Sequence, residues 1–228
     1  MNAHLTFDPV WEEKYAAGHS QRYPWDAVVS FVFRNAPRDR PREAVRILEV
    51  GCGTGSNLWF AAREGFAVAG VDASASAIAT ARRRFAEEGL AGDLQVGDFT
   101  RLAFEDDSFD CAIDRASLTC CGGTALRQAV AEIRRVLRPG GRLYFNPYAD
   151  SHSSARAGRA IGDGLTAEIA GGTLVGVGQI HFVARREIDE LFAEGWSLKQ
   201  VERLEITDML GPQGGIHAEW RVLAEKTP

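Results

Sequence analysis

The sequence predicts a doubly wound α/β fold with a seven-stranded sheet, mostly parallel with an antiparallel last strand, and helices on both faces. Strand-like apolar runs alternate with helix-like segments between residues 46 and 147, which is typical of a parallel sheet. A glycine-rich turn follows the first apolar run, and such folds bind ligands there. Near the C-terminus a short return joins two strand-like segments, which favours an antiparallel pair.

The first strand and its turn lie in residues 47–57, which read ILEVGCGTGSN. An apolar run leads into Gly51, Gly53 and Gly55, and a helix-like segment follows. Glycine adopts positive φ at little cost and lets a ligand lie against the main chain. A dinucleotide-binding turn GxGxxG would place its third small residue at Ser56, so that pattern fits poorly. A turn with a purely structural role is the other alternative.

The run EVGCGTG over residues 49–55 matches E/D-x-G-x-G-x-G, so the chain resembles the class I S-adenosylmethionine-dependent methyltransferases. The resemblance implies a Rossmann-like fold, S-adenosyl-L-methionine as cofactor, S-adenosyl-L-homocysteine as product, and methyl transfer to a small molecule. The cofactor residues that it implies at this turn are Glu49, Gly51, Cys52, Gly53, Gly55 and Asn57.

The second strand covers residues 67–71 and ends in Asp72, about twenty residues beyond the glycines. Doubly wound folds place there the carboxylate that accepts hydrogen bonds from the ribose hydroxyls. Asp72 is therefore the ribose candidate, and Ala73 follows it in the cofactor site. The alternative is a helix N-cap, but Ser74 fills that position equally well.

The third strand is predicted over residues 94–99 and closes on Asp98 and Phe99. The resemblance implies that the acidic residue meets the adenine amino group and that its neighbour packs near the ring. A carboxylate can accept from an exocyclic amine while an aromatic face covers a purine. A turn Asp and a core Phe are the plain alternative.

The fourth strand, within residues 109–117, ends in Asp114 and Arg115. Ligands of open parallel sheets lie outside the carboxyl ends of the strands, so both side chains should face the cofactor and the substrate. Asp114 is also a candidate proton acceptor, while a structural ion pair between the two residues is the alternative. The run IDRASL is similar to a segment of thiopurine methyltransferase-like enzymes.

The fifth strand is predicted within residues 137–145, LRPGGRLYF, where Pro139 and two glycines end the preceding helix. A PGG before this strand is a further feature of the family, with an architectural role. Amphipathic helices are predicted over residues 75–88 and 125–137.

The N-terminal segment carries Trp11 and Tyr15, whose four-residue spacing puts both rings on one helix face. Related enzymes often close such a segment over the cofactor and substrate. Tyr15, Arg22 and Tyr23 are the lid candidates, and packing onto the sheet is the alternative. Residues 34–46 are predicted to be a solvated connection.

Residues 146–179 are glycine-rich, irregular and long for a connection, so we predict a substrate lid. Tyr148 is a substrate candidate there. His152 and His181 are candidate proton acceptors, with structural histidines as the alternative.

The C-terminal part is predicted to contain a helix over residues 185–194 and strands over 198–206 and 216–225, joined at 209–215. His217 and Glu219 alternate along the last strand, and we interpret both as sheet-face residues.

Length and composition suit one domain, since 228 residues with 45% hydrophobic content can form a continuous core. Its predicted parts are an N-terminal lid segment at 1–45, a cofactor-binding core at 46–147, a substrate-lid insertion at 148–182 and a C-terminal helix and strand pair at 183–228. The oligomeric state stays open, with a homodimer as one option.

A net charge of −5 gives no global basic field, so nucleic acid is not expected as a partner. Four cysteines without CxxC spacing or clustered histidines predict neither a disulfide framework nor a metal site. No apolar run reaches the length of a membrane span, and we expect a cytoplasmic protein.

The predicted reaction is transfer of a sulfonium methyl group to an oxygen, nitrogen or sulfur nucleophile, on a saccharide or a secondary metabolite by preference. Alignment and exclusion of water matter more here than acid–base catalysis. Three alternatives stay open: a non-catalytic S-adenosylmethionine-binding protein, a nicotinamide-dependent oxidoreductase, and an aminopropyl-type transferase on the same fold.

Overall fold

The computed structural model describes residues 6–210 and 215–228. The strands are β1 (Arg46–Val50), β2 (Ala67–Asp72), β3 (Asp93–Val96), β4 (Phe109–Arg115), β5 (Leu137–Asn146), β6 (Arg159–Gly162), β7 (Leu165–Ala167), β8 (Ile180–His181), β9 (Trp196–Thr207) and β10 (Ile216–Lys226). The helices are α1 (Val10–Ala16), α2 (Asp26–Asn35), α3 (Ser56–Arg63), α4 (Ala75–Glu87), α5 (Gly123–Val136) and α6 (Arg185–Leu191).

The main sheet has seven strands in the order β3-β2-β1-β4-β5-β10-β9. β1 pairs in parallel with both β2 and β4, while β10 runs antiparallel to β5 and β9. The predicted mixed seven-stranded sheet is therefore confirmed. The strand order reverses between β1 and β4, and the crevice at such a reversal is where doubly wound folds bind ligands.

Helices cover both faces of this sheet, as the alternation along β1 illustrates. Ile47 packs with residues of α2, α3 and α4, whereas its neighbour Leu48 packs with residues of α5 and α6. Successive side chains of a strand point to opposite faces, so one apolar run serves two cores. This double burial explains why the parallel strands read as continuous apolar runs.

Most elements differ from their predicted bounds by one or two residues, and the larger differences are in β3, α6 and α2. The third strand ends at Val96 instead of Phe99, because the Asp98 carboxylate accepts the Thr100 N–H at 2.8 Å and turns the chain. Helix α6 ends at Leu191, before the predicted residue 194. Helix α2 was not predicted, and it packs against the sheet through Val28, Phe31 and Val32.

The segment predicted to be irregular contains a second sheet, in the order β6-β7-β8 with antiparallel pairs. The connection predicted over residues 209–215 lies partly outside the described residues, but the strands that it joins are antiparallel as predicted.

Across residues 6–210 and 215–228, no helix has both the length and the apolar character needed to cross a membrane. The same part of the chain contains no group of three or more His, Cys, Asp or Glu side chains that could hold a metal ion. Cys52, Cys111, Cys120 and Cys121 are all free thiols.

Candidate functional site

The glycine turn after β1 has the left-handed backbone that its sequence predicts. The φ angles are 63° at Gly51, 52° at Gly53 and 74° at Gly55, which is the N-cap residue of α3. A Cβ on Gly51 would overlap the side chain of Ser117, and a Cβ on Gly53 would lie 2.6 Å from the Tyr15 hydroxyl. Glycine is therefore required both by the backbone and by close neighbours.

Asp72 joins this turn to the start of α4. Its Oδ2 accepts the Gly53 N–H and its Oδ1 accepts the Ser74 N–H, both at 2.8 Å. The helix itself is capped by Ser74, whose hydroxyl accepts the Ala77 N–H at 3.0 Å. Burial raises the pKa of Asp72 and the two backbone hydrogen bonds oppose that rise. The carboxylate is thus held at the edge of the crevice by main-chain donors.

Three cavities with common walls follow the carboxyl edge of the sheet. Cavities of about 120 Å³ and 600 Å³ share Trp11, Tyr15, Gly51 and Arg115, and one of about 140 Å³ shares Ala73 and Phe99 with the first. Every predicted cofactor residue except Gly55 and Asp114 lines at least one of them: Glu49, Gly51, Cys52, Gly53, Asn57, Asp72, Ala73, Asp98, Phe99 and Arg115.

Glu49 presents an unsatisfied carboxylate oxygen in this region. Its Oε1 accepts the Asn57 Nδ2–H at 2.6 Å, but the buried Oε2 has no hydrogen-bond partner. Burial raises the pKa of Glu49 to about 8. Asn57 is held in turn, because its Oδ1 accepts the Trp25 N–H at 3.0 Å. A buried carboxyl with a free oxygen beside a cavity is suited to bind a cation.

Asp98 and Phe99 form the far end of the site. Asp98 is exposed, and its Oδ1 accepts both the N–H and the hydroxyl of Thr100, at 2.8 and 2.7 Å. Phe99 is half-buried and packs against the core. Both side chains line the cavity of about 140 Å³.

Asp114 and Arg115 have different surroundings. Asp114 is fully buried and its Oδ1 accepts N–H groups of Ser117 and Leu118, each at 2.9 Å. It lines none of the three cavities, which favours a structural role over the predicted role as proton acceptor. Arg115 lines the cavities of about 120 Å³ and 600 Å³. Its guanidinium lies 4.0 Å from the Trp25 ring centroid and 3.4 Å from Glu219 Oε2. Arg115 therefore pairs with Glu219 and does not form the alternative ion pair with Asp114.

Helix α1 lies across the glycine turn. Trp11 and Tyr15 have ring centroids 6.0 Å apart on one helix face, as predicted, and both line the shared cavities. The helix is fixed by Glu12, whose carboxylate accepts the hydroxyls of Ser74 at 2.5 Å and Ser76 at 2.6 Å. The segment therefore closes over the crevice.

Of the other predicted lid residues, one lines a cavity and two are exposed at the protein surface. Tyr148 lines the cavity of about 600 Å³. Arg22 and Tyr23 are exposed and line none of the three cavities, with the Arg22 guanidinium 6.0 Å from the Tyr23 ring centroid.

His152 and His181, the predicted proton acceptors, are both buried away from the cavity walls. His152 Nδ1 accepts the Ser154 N–H at 3.0 Å, and burial lowers its pKa to about 4. His181 Nε2 lies 2.7 Å from Glu187 Oε1, and its Nδ1 has no partner. These placements favour the structural alternative for both histidines.

Several wall residues were not identified from the sequence. They belong to the N-terminal segment, the turn after β4, the insertion and the last strands: Trp11, His19, Gln21, Trp25, Cys120, Val177, Ile206 and His217. The aromatic residues before β1 were the available signal. His217 was interpreted as a sheet-face residue, and no pattern along its strand indicates the cavity at its end.

Comparison with known proteins relates part of this chain to one family. A family model described as a methyltransferase domain matches residues 47–141. The malonyl-[acyl-carrier protein] O-methyltransferase of Erwinia pyrifoliae is 37% identical over 111 residues, covering 47% of this chain and 38% of that protein. This chain spans 34% to 40% of the length of the curated relatives it matches.

Solved structures share the fold at low sequence identity. A SAM-dependent methyltransferase from Methanosarcina mazei has a TM-score of 0.70 and 21% identity, covering 90% of this chain and 99% of that chain. The 1,6-didemethyltoxoflavin-N1-methyltransferase of Burkholderia thailandensis, solved with 1,6-didemethyltoxoflavin and S-adenosylhomocysteine, has a TM-score of 0.67 and 18% identity, covering 100% and 92% of the two chains.

Proposed function

Because residues 47–141 form a domain of the methyltransferase family, we propose that this chain transfers the methyl group of S-adenosyl-L-methionine to a small molecule. The observation that carries the proposal is the row of predicted cofactor residues along cavities with common walls. The glycine turn that was predicted from residues 49–55 lies at the centre of this row. The nicotinamide alternative lacks such support, since its glycine pattern does not fit.

The residues present fit the main parts of this cofactor. Glu49, with a free buried oxygen, suits the ammonium group of the amino acid. Asp72 suits the ribose hydroxyls, and Asp98 with Phe99 suits the adenine. The bound cofactor supplies an electrophilic methyl group on a sulfonium.

The contribution of the protein is then alignment and exclusion of water. Helix α1, fixed by Glu12 to the start of α4, covers the crevice from one side. The insertion at 148–182 covers the substrate side through Tyr148. The cavity beneath α1 has a volume of about 120 Å³ and shares walls with the cavity of about 600 Å³, so the cofactor would extend through both.

The acceptor lies in the cavity of about 600 Å³, whose walls include Trp11, Tyr15, Trp25 and Tyr148. Aromatic walls suit a secondary metabolite with a flat apolar part better than a free saccharide. The four free thiols support the predicted reducing, cytoplasmic compartment.

Calorimetry with S-adenosyl-L-methionine and S-adenosyl-L-homocysteine tests the cofactor assignment. We expect binding of both, and a loss of at least about tenfold in affinity in Asp72→Ala. Asp72→Asn retains one acceptor oxygen and guards against misfolding, and Asp93→Ala, at the exposed start of β3, is the matched control. Equal affinities in all four proteins would contradict the proposal.

Turnover is tested by supplying methyl-labelled cofactor with a cell extract and identifying labelled metabolites by mass spectrometry. A labelled small molecule supports the enzyme. Tight cofactor binding without any labelled product would favour the non-catalytic S-adenosylmethionine-binding alternative.

A further inference from the structure

A chain of hydrogen bonds reaches the acceptor cavity from the buried side of the insertion. It begins at the Ser154 N–H, which donates to His152 Nδ1 at 3.0 Å. Because a backbone N–H can only donate, His152 Nδ1 must be the acceptor, and neutral His152 carries its hydrogen on Nε2. Burial and the nearby His217 lower the pKa of His152 to about 4, so the ring is neutral at pH 7.

The next hydrogen bonds determine which ring nitrogen of a neutral His217 carries the hydrogen. His152 Nε2 lies 3.1 Å from Thr173 Oγ1 and 3.3 Å from His217 Nδ1, and Thr173 Oγ1 lies 2.9 Å from the same Nδ1. The Thr173 hydroxyl can accept from His152 and donate to His217 at once. His217 Nδ1 therefore accepts, and a neutral His217 keeps its hydrogen on Nε2.

His217 lines the cavity that holds the acceptor. Its Nε2 lies 4.0 Å from Glu219 Oε2, which is beyond hydrogen-bond distance, so among the described side chains no acceptor takes the Nε2–H. Arg115 approaches the same Glu219 oxygen at 3.4 Å and also lines the cavity. Two donors, a histidine N–H and a guanidinium, thus converge on one end of the cavity.

Neither Glu219 nor Tyr148, which flank His217, has a pKa suited to a proton acceptor near neutral pH. Although burial opposes it, the nearby side chains of His217, Arg115 and Arg221 lower the pKa of Glu219 to about 2. Burial raises the pKa of Tyr148 to about 12, so its hydroxyl stays protonated. An amine or alcohol acceptor that must lose a proton would find no base here.

We propose that His217, through Nε2–H and together with Arg115, binds an anionic oxygen of the methyl acceptor, which is therefore an oxygen acid. A carboxylate, an ionised enol or an ionised phenol has this chemistry. An oxygen lone pair forms the new O–CH₃ bond, the C–S bond breaks, and its electron pair stays on sulfur. The products are a neutral ester or ether and S-adenosyl-L-homocysteine, and no proton is transferred. This inference rests on the proposed function.

The hydrogen-bond chain is tested without turnover, by nitrogen-15 NMR of labelled histidine side chains in the intact protein. We expect His152 and His217 both in the Nε2–H form. Thr173→Val removes the donor to His217 and should populate the Nδ1–H form, while Thr207→Val, at the exposed end of β9, should not. An Nδ1–H form of His217 in the unaltered protein would overturn the inference.

The acceptor class is tested with methyl-labelled cofactor and the anion-exchange fraction of a cell extract. We expect label on oxygen, released by alkali from an ester and retained in an ether. His217→Leu should lower kcat/KM at least about tenfold, mainly through KM, whereas His217→Gln, which keeps an N–H donor, should retain most activity. Cofactor affinity should be unchanged in both variants.

The dependence of kcat/KM on pH distinguishes a hydrogen-bond donor role of His217 from a role as general base. His217 is faced by Glu219 from its own strand, by Tyr148 and His152 from the segment after β5, and by Arg115 from β4. With an ionised acceptor, kcat/KM should be flat between about pH 7 and 9. A tenfold rise per pH unit that His217→Leu abolishes, or a methyl group on nitrogen or sulfur, would overturn this inference alone. No methylated product at all would overturn the proposed function as well.

Discussion

Burial at the crevice shifts the pKa of single side chains away from their values in water. Glu49 is the sharpest case, since its Oε2 is buried without a partner and its pKa rises to about 8 because of that burial. An unpaired buried polar atom is costly, and it is retained where a ligand completes it. The residue type and spacing were predicted from the glycine motif, but the missing partner was not, because it depends on the packing of Asn57.

We predict that cofactor binding releases a proton from Glu49. At pH 7 the carboxyl is mostly protonated in the free protein, and it must ionise to bind an ammonium group. The binding enthalpy should therefore vary with the ionisation enthalpy of the buffer, by up to about one proton more than in Glu49→Gln. Glu43→Gln, at an exposed position, is the control. Identical buffer dependence in all three proteins would refute the prediction.

We predict that Gly53→Ala destabilises the protein by more than its backbone strain alone. The added Cβ would lie 2.6 Å from the Tyr15 hydroxyl at a φ of 52°. Gly89→Ala has a similar φ of 66° and open space, so it measures the strain by itself, at about 1 kcal/mol. Chemical denaturation should give Gly53→Ala the larger loss of stability. Equal losses would mean that α1 does not press on the turn.

The surroundings of His217 and Asp114 could not be predicted from the sequence. A strand places alternate residues on opposite faces, so the pattern around His217 indicates a sheet face and nothing more. The side chains that hydrogen-bond it, Thr173 and His152, are distant in sequence. Asp114 was expected to face the ligand because it ends β4, but the turn at Ser117 captures its carboxylate.

Among the elements, the parallel strands were predicted closely and the segments outside them were not. Each strand of the core reads as an apolar run with turn residues on both sides, which is a local signal. The pairing of β6, β7 and β8 has no such signal, because these strands are only two to four residues long and depend on partners that are distant in sequence, such as Thr119, which donates to the His181 carbonyl at 2.7 Å. Helix α2 begins at Asp26, shortly after Pro24. The proline and the aromatic residues around it indicated a helix break, so the apolar face of α2 was not recognised.

Helix α1 lines the crevice through Trp11 and Tyr15. Two serine hydroxyls at the start of α4 hold the Glu12 carboxylate, and their hydrogen bonds lower its pKa. A lowered pKa means that this contact stabilises the folded state above the unfolded pKa of 4.5 and loses that effect as pH falls.

We predict that Glu12→Gln loosens α1 without unfolding the protein. Amide hydrogen exchange of a peptide spanning residues 8–17 should become at least about tenfold faster, and cofactor association should speed up. Glu13→Gln is the matched control, because the neighbouring side chain has no comparable contact among the described residues. Unchanged exchange in Glu12→Gln would show that other contacts hold the helix.

For the whole molecule, buried acids set how stability responds to pH. Burial raises the pKa of Glu49, Asp72 and Asp114 in the folded state. A carboxyl with a raised folded pKa binds its proton more tightly when folded, so stability falls as pH rises from its unfolded pKa to its folded pKa. His152 has the opposite trend, but only below its unfolded pKa of 6.5.

We predict that the Tm of the free protein falls by a few degrees between about pH 6.5 and 8. Glu49 dominates that window because its folded pKa is about 8. Glu49→Gln should flatten the decline, and differential scanning calorimetry across the window measures it. A Tm of the unaltered protein that rises over the same range would contradict the pKa assignment.

The fold and family of the core were predictable because one ordered set of local motifs, from residue 47 to 145, specifies them. The family match over residues 47–141 confirms that prediction. The acceptor side was not predictable, since its walls come from α1, β4, the insertion and β10, which meet only through the folded sheet.

Strand β10 lies between β5 and β9 and runs against its neighbours, so its N-terminal residues reach the same sheet edge as the C-terminal end of β4. Ile206 and His217 of the last hairpin therefore line the same cavity as Glu49 and Gly51 of the first strand and its turn. On the proposed function, exchange of this hairpin between proteins of the same architecture is a route by which the choice of acceptor can change while the glycine turn stays the same.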